Sequence, residues 1–212
     1  KTAQRTKGNK QVYYYCAAVF VLMLFYMVCA QNISSHIRNG GLADKPFLGM
    51  SLPVTTIAGI ATAVQMAGGV IVGFFFGKIS SKIHDYVMAV SMALLGIGML
   101  ILSLFPTTTI LIFVGVFIAG MSISMMMPRC VYATSIYGDA SNSALVTTFV
   151  TSLAPSVGSF LSPVLFTNLT TAIGGESTVF RYAFVGTAAL CVAVIIAIAT
   201  TVRVKRGTAI CD

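Results

Sequence analysis

The residues best suited to chemistry in this chain are uncharged polar side chains set inside long apolar runs. They are Gln31, Asn32, Gln65, Ser122 and Ser124. Amides and hydroxyls bind solutes through hydrogen bonds, whereas proton transfer needs a titratable group. We therefore predict that these five side chains contact an uncharged or amphipathic organic solute. Because Gln31 and Asn32 are adjacent, they point about 100° apart on a helix, so both do not face one cavity equally well.

Gln65 has two interpretations that the sequence leaves open. It either makes a hydrogen bond to a neighbouring helix or contacts a ligand in a central cavity. The ligand interpretation predicts that Gln65→Ala changes substrate affinity without unfolding the protein. Methionines raise the same question, since they either pack a core or form an adaptable apolar binding surface; they are Met121, Met125, Met126 and Met127.

Titratable residues are scarce within the apolar runs, which disfavours enzymatic chemistry. The acids all fall in predicted loops or at the ends of runs: Asp44, Asp85, Asp139, Glu176 and Asp212. His36 and His84 also lie at ends, where we expect them to face water. Gly120-Met121-Ser122 has the first letters of a serine nucleophile turn, but no histidine lies deep in a partner run, and metal or aspartyl motifs are absent. We predict neither an enzyme nor a cofactor.

Six apolar stretches position these residues and make up most of the 212-residue chain. They cover Val12–Ile37, Leu52–Phe76, Tyr86–Phe105, Ile110–Met127, Leu145–Leu169 and Val179–Val202. Each reaches or approaches the ~20 residues that a helix needs to cross a bilayer core. Only 8% of the residues are charged, whereas a soluble domain has about a quarter. Because backbone groups in lipid must bond within the segment, the sequence predicts an all-α membrane protein with six transmembrane helices.

The uneven placement of basic residues predicts the orientation. Ten of the 13 lysines and arginines fall on one side of the predicted spans, and only Arg38, Lys45 and Arg181 fall on the other. This bias places both termini in the cytoplasm, most simply at the plasma (inner) membrane. We predict a cytoplasmic linker over 1–11, a transmembrane domain over 12–202 and a cytoplasmic tail over 203–212. Because the basic residues flank the spans, we expect them to contact the lipid bilayer and not nucleic acid.

The second span carries residues at a regular four-residue spacing. Ala61, Gln65, Gly69, Gly73 and Gly77 form a stripe along one helix face. Small residues let two membrane helices approach closely. We therefore predict that this face packs against another helix.

The segment from Gly73 to Lys82, Gly-Phe-Phe-Phe-Gly-Lys-Ile-Ser-Ser-Lys, resembles the signature loop of major facilitator superfamily transporters. That pattern is a Gly, three residues, an Asp or Gly, a basic residue, and then Gly and further basic residues. Gly73, Gly77, Lys78 and Lys82 match, whereas Ser80 stands where the family prefers Gly. The resemblance implies a cytoplasmic loop between spans two and three with a role in gating.

The resemblance further implies the C-terminal half of such a transporter, built from inverted three-helix repeats and paired with an N-terminal six-helix half. The fifth span is similar to the Gly- and Pro-rich eleventh helix of the family through Pro155, Gly158, Ser162 and Pro163. The expected function is secondary active transport of a small organic solute, with a drug-efflux-like exporter as the leading hypothesis. Because the chain begins with Lys1 and not Met, we expect it to be processed or part of something longer.

Arg129 follows Pro128 at the predicted end of span four, where two roles are open. It either snorkels toward the cytoplasmic headgroups or forms a gating salt bridge to the other half. Three rival classes also stay open for the chain as a whole. These are a six-span channel or carrier acting as a homo-oligomer, an intramembrane enzyme, and a scaffold that transports nothing.

Overall fold

The computed structural model describes residues 10–40, 52–137 and 143–205, and these form helices joined by short turns. The helices are α1 Lys10–Asn39, α2 Val54–Ile83, α3 Tyr86–Leu104, α4 Thr109–Tyr137, α5 Ser143–Thr148, α6 Ala154–Ala172 and α7 Thr178–Lys205. A π-helical turn over Phe149–Leu153 joins α5 to α6, and together they make the fifth span, Ala144–Ala172. The described residues contain six helical stretches long and apolar enough to cross a membrane, which confirms the predicted all-α membrane protein.

The two ends of the bundle are defined by the start of α1 and the end of α7. Arg203 in the last turn of α7 donates a hydrogen bond to Gln11 in the first turn of α1, and we call this the basal end. At the opposite, apical end, Arg181 at the start of α7 donates to Asn32 near the end of α1. Residues 1–9 and 206–212, most of the predicted linker and tail, lie outside the described residues.

The helices pack in a defined set of pairs. α3 lies along both α4 and α7, α2 lies along α4, and α1 lies along α6 and α4. Large side chains from α1, α3 and α4 fill the shared core without exposure, among them Leu22, Met92, Leu95 and Met99. Between lipid-embedded helices this close packing is the main attraction, because lipid tails are as apolar as leucine.

Two helices extend further toward the basal end than the sequence predicted. α2 continues past Phe76 to Ile83, and α4 continues past Pro128 to Tyr137. The predicted signature loop is therefore wrong as a loop: its residues are helical, and the turn between α2 and α3 follows at His84 and Asp85. Pro128 does not end α4, since its ring is exposed and a membrane helix tolerates one missing N–H donor.

The fifth span contains an irregular segment at its π turn. The N–H of Ala154 bonds the carbonyl of Phe149, five residues back, and Pro155 then supplies no N–H to the ladder. Beyond this point α6 turns Gly158, Ser162 and other small or apolar residues toward α1. Single π turns within α-helices are frequent at functional sites, so this span is the one best suited to bend.

Only part of the predicted small-residue stripe packs against a helix. Ala61, Gln65 and Gly69 are buried on α2, and a Cβ added to Gly69 would approach the hydroxyl of a serine on α4 at 2.9 Å. Gly73 and Gly77 have nothing within 4 Å of such a Cβ, so the prediction of close packing is wrong at these two positions. Spacing selects a face of a helix but not how closely each residue is packed, since α4 also reaches the basal half of α2 through Arg129 and Ser80.

Two further glycines, absent from the predicted stripe, bring α2 and α4 together. A Cβ on Gly68 would overlap the backbone carbonyl of Phe117, and one on Gly120 would overlap that of Gln65. Both overlaps are with main chain, which no side-chain rotation can relieve. The closest approach of the two helices therefore depends on Gly68 and Gly120.

Candidate functional site

A buried ion-pair cluster at the basal end joins four elements of the fold. Asp85, in the turn between α2 and α3, is 1% exposed, and one of its carboxylate oxygens accepts a hydrogen bond from Nε of Arg129 on α4 at 2.9 Å. The other oxygen lies 3.6 Å from a guanidinium nitrogen of Arg203 on α7. That oxygen also accepts from the hydroxyl of Tyr15 on α1 at 2.8 Å. We call Tyr15, Asp85, Arg129 and Arg203 the basal cluster.

The basal cluster meets the conditions under which a buried charge is stable. Nε and Nη2 of Arg129 both lie 2.9 Å from the same oxygen of Asp85, and such charge-assisted bonds are the strong ones. Arg203 also lies over the rings of Tyr14 and Tyr15, at 4.4 and 5.0 Å from the centroids, which adds cation–π attraction. Removing the carboxylate of Asp85 would take from Arg129 and Arg203 the acid that they share.

Sequence analysis placed the basal cluster residues at the ends of spans but missed their burial. Asp85 does lie at a helix end, yet it is inside the protein. Arg129 is 2% exposed and pairs with Asp85 within this chain, a contact that neither of its two interpretations predicted. The two residues are 44 positions apart, and no local pattern connects them. The available signal was that one acid and two arginines were all predicted at the same end.

Gln65 and Ser124 meet at the contact between α2 and α4. Gln65 is 3% exposed, and its amide Nε2 makes no hydrogen bond to any described residue. Ser124 is half-buried one turn further along the same contact, beside Gly69. An unpartnered buried donor is costly, about 1–3 kcal/mol. This amide is therefore able to donate to a further hydrogen-bond acceptor.

Ser122 lies on a different side of α4 and does not join this contact. Its hydroxyl donates to the carbonyl of Ala119 in its own helix at 2.6 Å, and its own carbonyl accepts from Ser91 of α3 at 2.7 Å. The two predicted serines, Ser122 and Ser124, thus face α3 and α2 respectively. The structure brings together only one of them with Gln65.

We expect Ser122→Ala to leave both activity and stability nearly unchanged, because its hydroxyl bonds only its own helix. Ser91→Ala instead removes a bond between helices and should cost about 0.6 kcal/mol, the average for such bonds in membrane proteins. Thermal unfolding of the two purified variants measures the difference. A Ser122→Ala protein that unfolds normally but has lost its activity would mean that this hydroxyl does chemistry.

The other two predicted residues, Gln31 and Asn32, lie near the apical end of α1. Gln31 is exposed, whereas Asn32 is half-buried, as expected for adjacent helix positions. Nδ2 of Asn32 donates to the carbonyl of Val28 at 2.9 Å, and its Oδ1 accepts from Arg181. Arg181 also lies 3.4 Å from the hydroxyl of Thr170 on α6. Asn32 therefore links α1 to α7, and both atoms of its side-chain amide are hydrogen-bonded within the protein.

The two histidines do not share one environment. His36 is 1% exposed, with Nδ1 at 3.2 Å from the hydroxyl of Thr178 and its ring edge-on to Tyr182. The expectation that it faces water is wrong, because α7 begins directly over it. His84 is half-buried in the turn after α2 with φ of 46°, a left-handed conformation that histidine rarely adopts.

The remaining predicted positions, Gly73, Gly77, Lys78 and Lys82, are exposed near the basal end of α2. A cavity of about 280 Å³ lies beside them. It is lined by Phe76, Gly77, Ser80, Ser81, His84, Arg129 and Tyr132. Arg129 thus belongs both to the basal cluster and to the wall of this cavity.

Neither metal ligands among the described residues nor related proteins identify the function of these sites. No group of three or more His, Cys, Asp or Glu side chains within 10–40, 52–137 and 143–205 could hold a metal ion. No protein-family model matches the chain, and no curated protein sequence matches it either. The candidate function therefore depends on the packing and the polar contacts described above.

Proposed function

We propose that this chain is the C-terminal six-helix half of a secondary transporter of the major facilitator type, which moves a small organic solute by alternating access. The preferred form is a drug-efflux-like exporter in the plasma (inner) membrane, with the basal end in the cytoplasm and an N-terminal half as partner. The observation that carries the proposal is the pairing of the helices, because several of the main pairs correspond to one another when the first three spans are exchanged with the last three.

The exchange replaces α1 by α4, α2 by the fifth span and α3 by α7. The extensive contact of α2 with α4 then corresponds to the extensive contact of the fifth span with α1. The contact of α3 with α4 corresponds to that of α7 with α1, which is less extensive. The contact of α3 with α7 corresponds to itself. Since α1 starts at the basal end and α4 at the apical end, the exchange inverts the chain. Inverted repeats of this kind underlie many secondary transporters.

The basal cluster is a second observation in favour of the proposal, because it lies where the helices would separate if the basal end opened. Alternating access requires that the two sides of the bundle open in turn. Charges buried near a membrane are a functional signal by default. This cluster joins α1, α4, α7 and the turn after α2 through a small number of hydrogen bonds and ion pairs, which can break and form again. Among the described residues, the buried acid is Asp85, and it is paired with arginines. A proton-carrying carboxylate is accordingly expected in the other half or on the solute.

The solute class follows from the kinds of groups available. The contact of α2 with α4 offers an amide and a hydroxyl, Gln65 and Ser124, beside the half-buried methionine Met121. These groups suit an uncharged or amphipathic molecule that accepts a hydrogen bond. A solute that reached Gln65 would satisfy the donor that the described residues leave without a partner.

We expect Gln65→Met to raise KM about tenfold without lowering stability. The solute loses a hydrogen bond worth roughly 1.4 kcal/mol, while the protein loses an unpartnered buried amide and keeps a similar volume. Export of amphipathic dyes is measured in cells that lack their own drug pumps, alongside thermal unfolding of the purified protein. Asn168→Ala, which removes an exposed amide from α6, is the control and should change neither quantity.

Two results would count against parts of this proposal. An unchanged KM in Gln65→Met would remove Gln65 from the solute site. Wild-type protein that lowers the accumulation of none of the dyes would contradict drug-efflux-like export itself.

A further inference from the structure

The cavity at the basal end of α2 has no role in the proposed transport cycle. Its volume of about 280 Å³ is close to the lower end of ligand pockets, roughly 300–1,000 Å³. It lies between the last turns of α2 and the basal part of α4, with Ser80, His84 and Arg129 in its wall. A cavity of this size fits a small charged group better than a whole drug-like molecule.

The polar lining of the cavity offers hydrogen-bond donors. Nη1 of Arg129 lies 3.4 Å from the hydroxyl of Ser80, a long contact compared with the usual ~2.9 Å. Nδ1 of His84 is buried and bonds no described residue, and as the N–H tautomer it donates. Ser81 also lies in the wall, but its hydroxyl donates to the carbonyl of Lys78 in its own helix at 3.1 Å. A guanidinium group with hydroxyl and imidazole donors is a chemical set that suits phosphate.

The surroundings of the cavity are positively charged. In the basal cluster Arg129 and Arg203 share the one carboxylate of Asp85, so the cluster has more positive than negative charge. Lys78 and Lys82 are exposed on the adjoining turns of α2. Among the residues that the structure describes, those lining the cavity include no acidic side chain. The local field therefore attracts an anion.

The depth of the cavity matches that of lipid headgroups. The 23 residues from Val54 to Phe76 rise about 34 Å along a helix, enough to cover the ~30 Å hydrocarbon core. The following turns of α2, which line the cavity, thus lie just beyond the core. Tyr132 in its wall is an aromatic of the kind enriched at membrane interfaces.

An open apolar strip leads from the cavity toward the middle of the bilayer. Met66 and Val70 are 66% and 57% exposed, and Gly73 has open space beside it. These positions are spaced by three or four residues and continue to Gly77 in the cavity wall, so they share one face of α2. A flexible hydrocarbon chain fits this strip, whereas a free inorganic anion makes no use of it.

We propose that the cavity binds the headgroup of an anionic phospholipid. The lipid phosphate accepts hydrogen bonds from Arg129, Ser80 and His84, and an acyl chain lies against Met66 and Val70. The inference goes beyond the proposed transport function and does not depend on it, because lipid binding is measured without any flux.

The test uses the intact protein purified in a neutral detergent, with native mass spectrometry to count bound lipid. We expect dioleoylphosphatidylglycerol to bind in preference to dioleoylphosphatidylcholine. Ser81→Glu places a carboxylate in the wall and should weaken this binding roughly tenfold, the effect of about 1.4 kcal/mol. Ser81 is exposed, so the variant should fold. Ser135→Glu, at an exposed serine outside the cavity, makes the same change elsewhere and should bind as the wild type does.

The outcomes separate the sources of phosphate. Equal binding of the two lipids, or undiminished binding by Ser81→Glu, would overturn the proposal and indicate that something else covers the cavity. Competition by millimolar inorganic phosphate without a preference for phosphatidylglycerol would also overturn it, in favour of a free anion. Selective binding that Ser81→Glu abolishes would support the lipid site even if the wild type exported no dye, a result that counts only against transport.

Discussion

Asp85→Asn is expected to lower the free energy of unfolding by about 3–5 kcal/mol, the usual cost of removing one partner from a buried ion pair. The carboxylate of Asp85 contacts Arg129, Arg203 and Tyr15 at once. Without its charge, both guanidinium groups lose the carboxylate that they share in the basal cluster. The basal ends of α1, α4 and α7 should then separate at a lower temperature.

Arg129→Gln provides the comparison, because it leaves Asp85 paired with Arg203 and bonded by Tyr15. We expect a smaller loss, about 1–3 kcal/mol, typical of a buried polar group that loses its partner. Glu176→Gln, at an exposed acid, is the control and should change little. Unfolding of the purified proteins by heat or denaturant ranks the three. If Arg129→Gln costs as much as Asp85→Asn, then Asp85 is not the shared centre of the basal cluster.

Gly120→Ala is expected to destabilise the protein by about 1–3 kcal/mol through overpacking. The new methyl group would overlap the backbone carbonyl of Gln65, and only a movement of α2 away from α4 can relieve it. The same movement would displace Gln65 from Ser124, so solute affinity should fall together with stability.

Gly73→Ala is the matched control for this prediction. It makes the same chemical change in α2, but nothing lies within 4 Å of the added methyl group. Alanine is the better helix former, so this variant should be neutral or up to about 1 kcal/mol more stable. Comparing the unfolding temperatures of the two purified variants tests the pair. Equal destabilisation by both would mean that another helix, and not α4, packs on the stripe predicted from the sequence.

The six spans were predictable because hydrophobicity over about 20 residues is a property of the local sequence. Their basal limits were not. The predicted apolar run ends at Phe76, before Lys78, but α2 continues to Ile83, since a helix also satisfies its backbone at headgroup depth. Pro128 misled for a related reason: its missing N–H interrupts one bond of α4 without ending the helix.

The candidate site was predictable in its residue types but not in its contacts. Gln65 was identified because an amide in an apolar run is unusual, and the structure buries it on the face of α2 that packs against α4. Which residues meet depends on how helices cross. Asp85 and His36 were both assigned to the surface, although α4 and α7 cover them. Position along a span indicates depth in the membrane, whereas burial depends on neighbours distant in sequence.

The most direct test of alternating access is counterflow in proteoliposomes that contain the intact protein. The vesicles are loaded with an unlabelled dye that the cells export, and labelled dye is added outside at a low concentration. The proposed carrier predicts that labelled dye accumulates transiently inside the vesicles above its outside concentration. Each binding site that carries unlabelled dye outward then faces the outside, where it binds labelled dye and carries it inward. Equilibration without any overshoot would contradict alternating access and would favour a channel formed by six-span subunits.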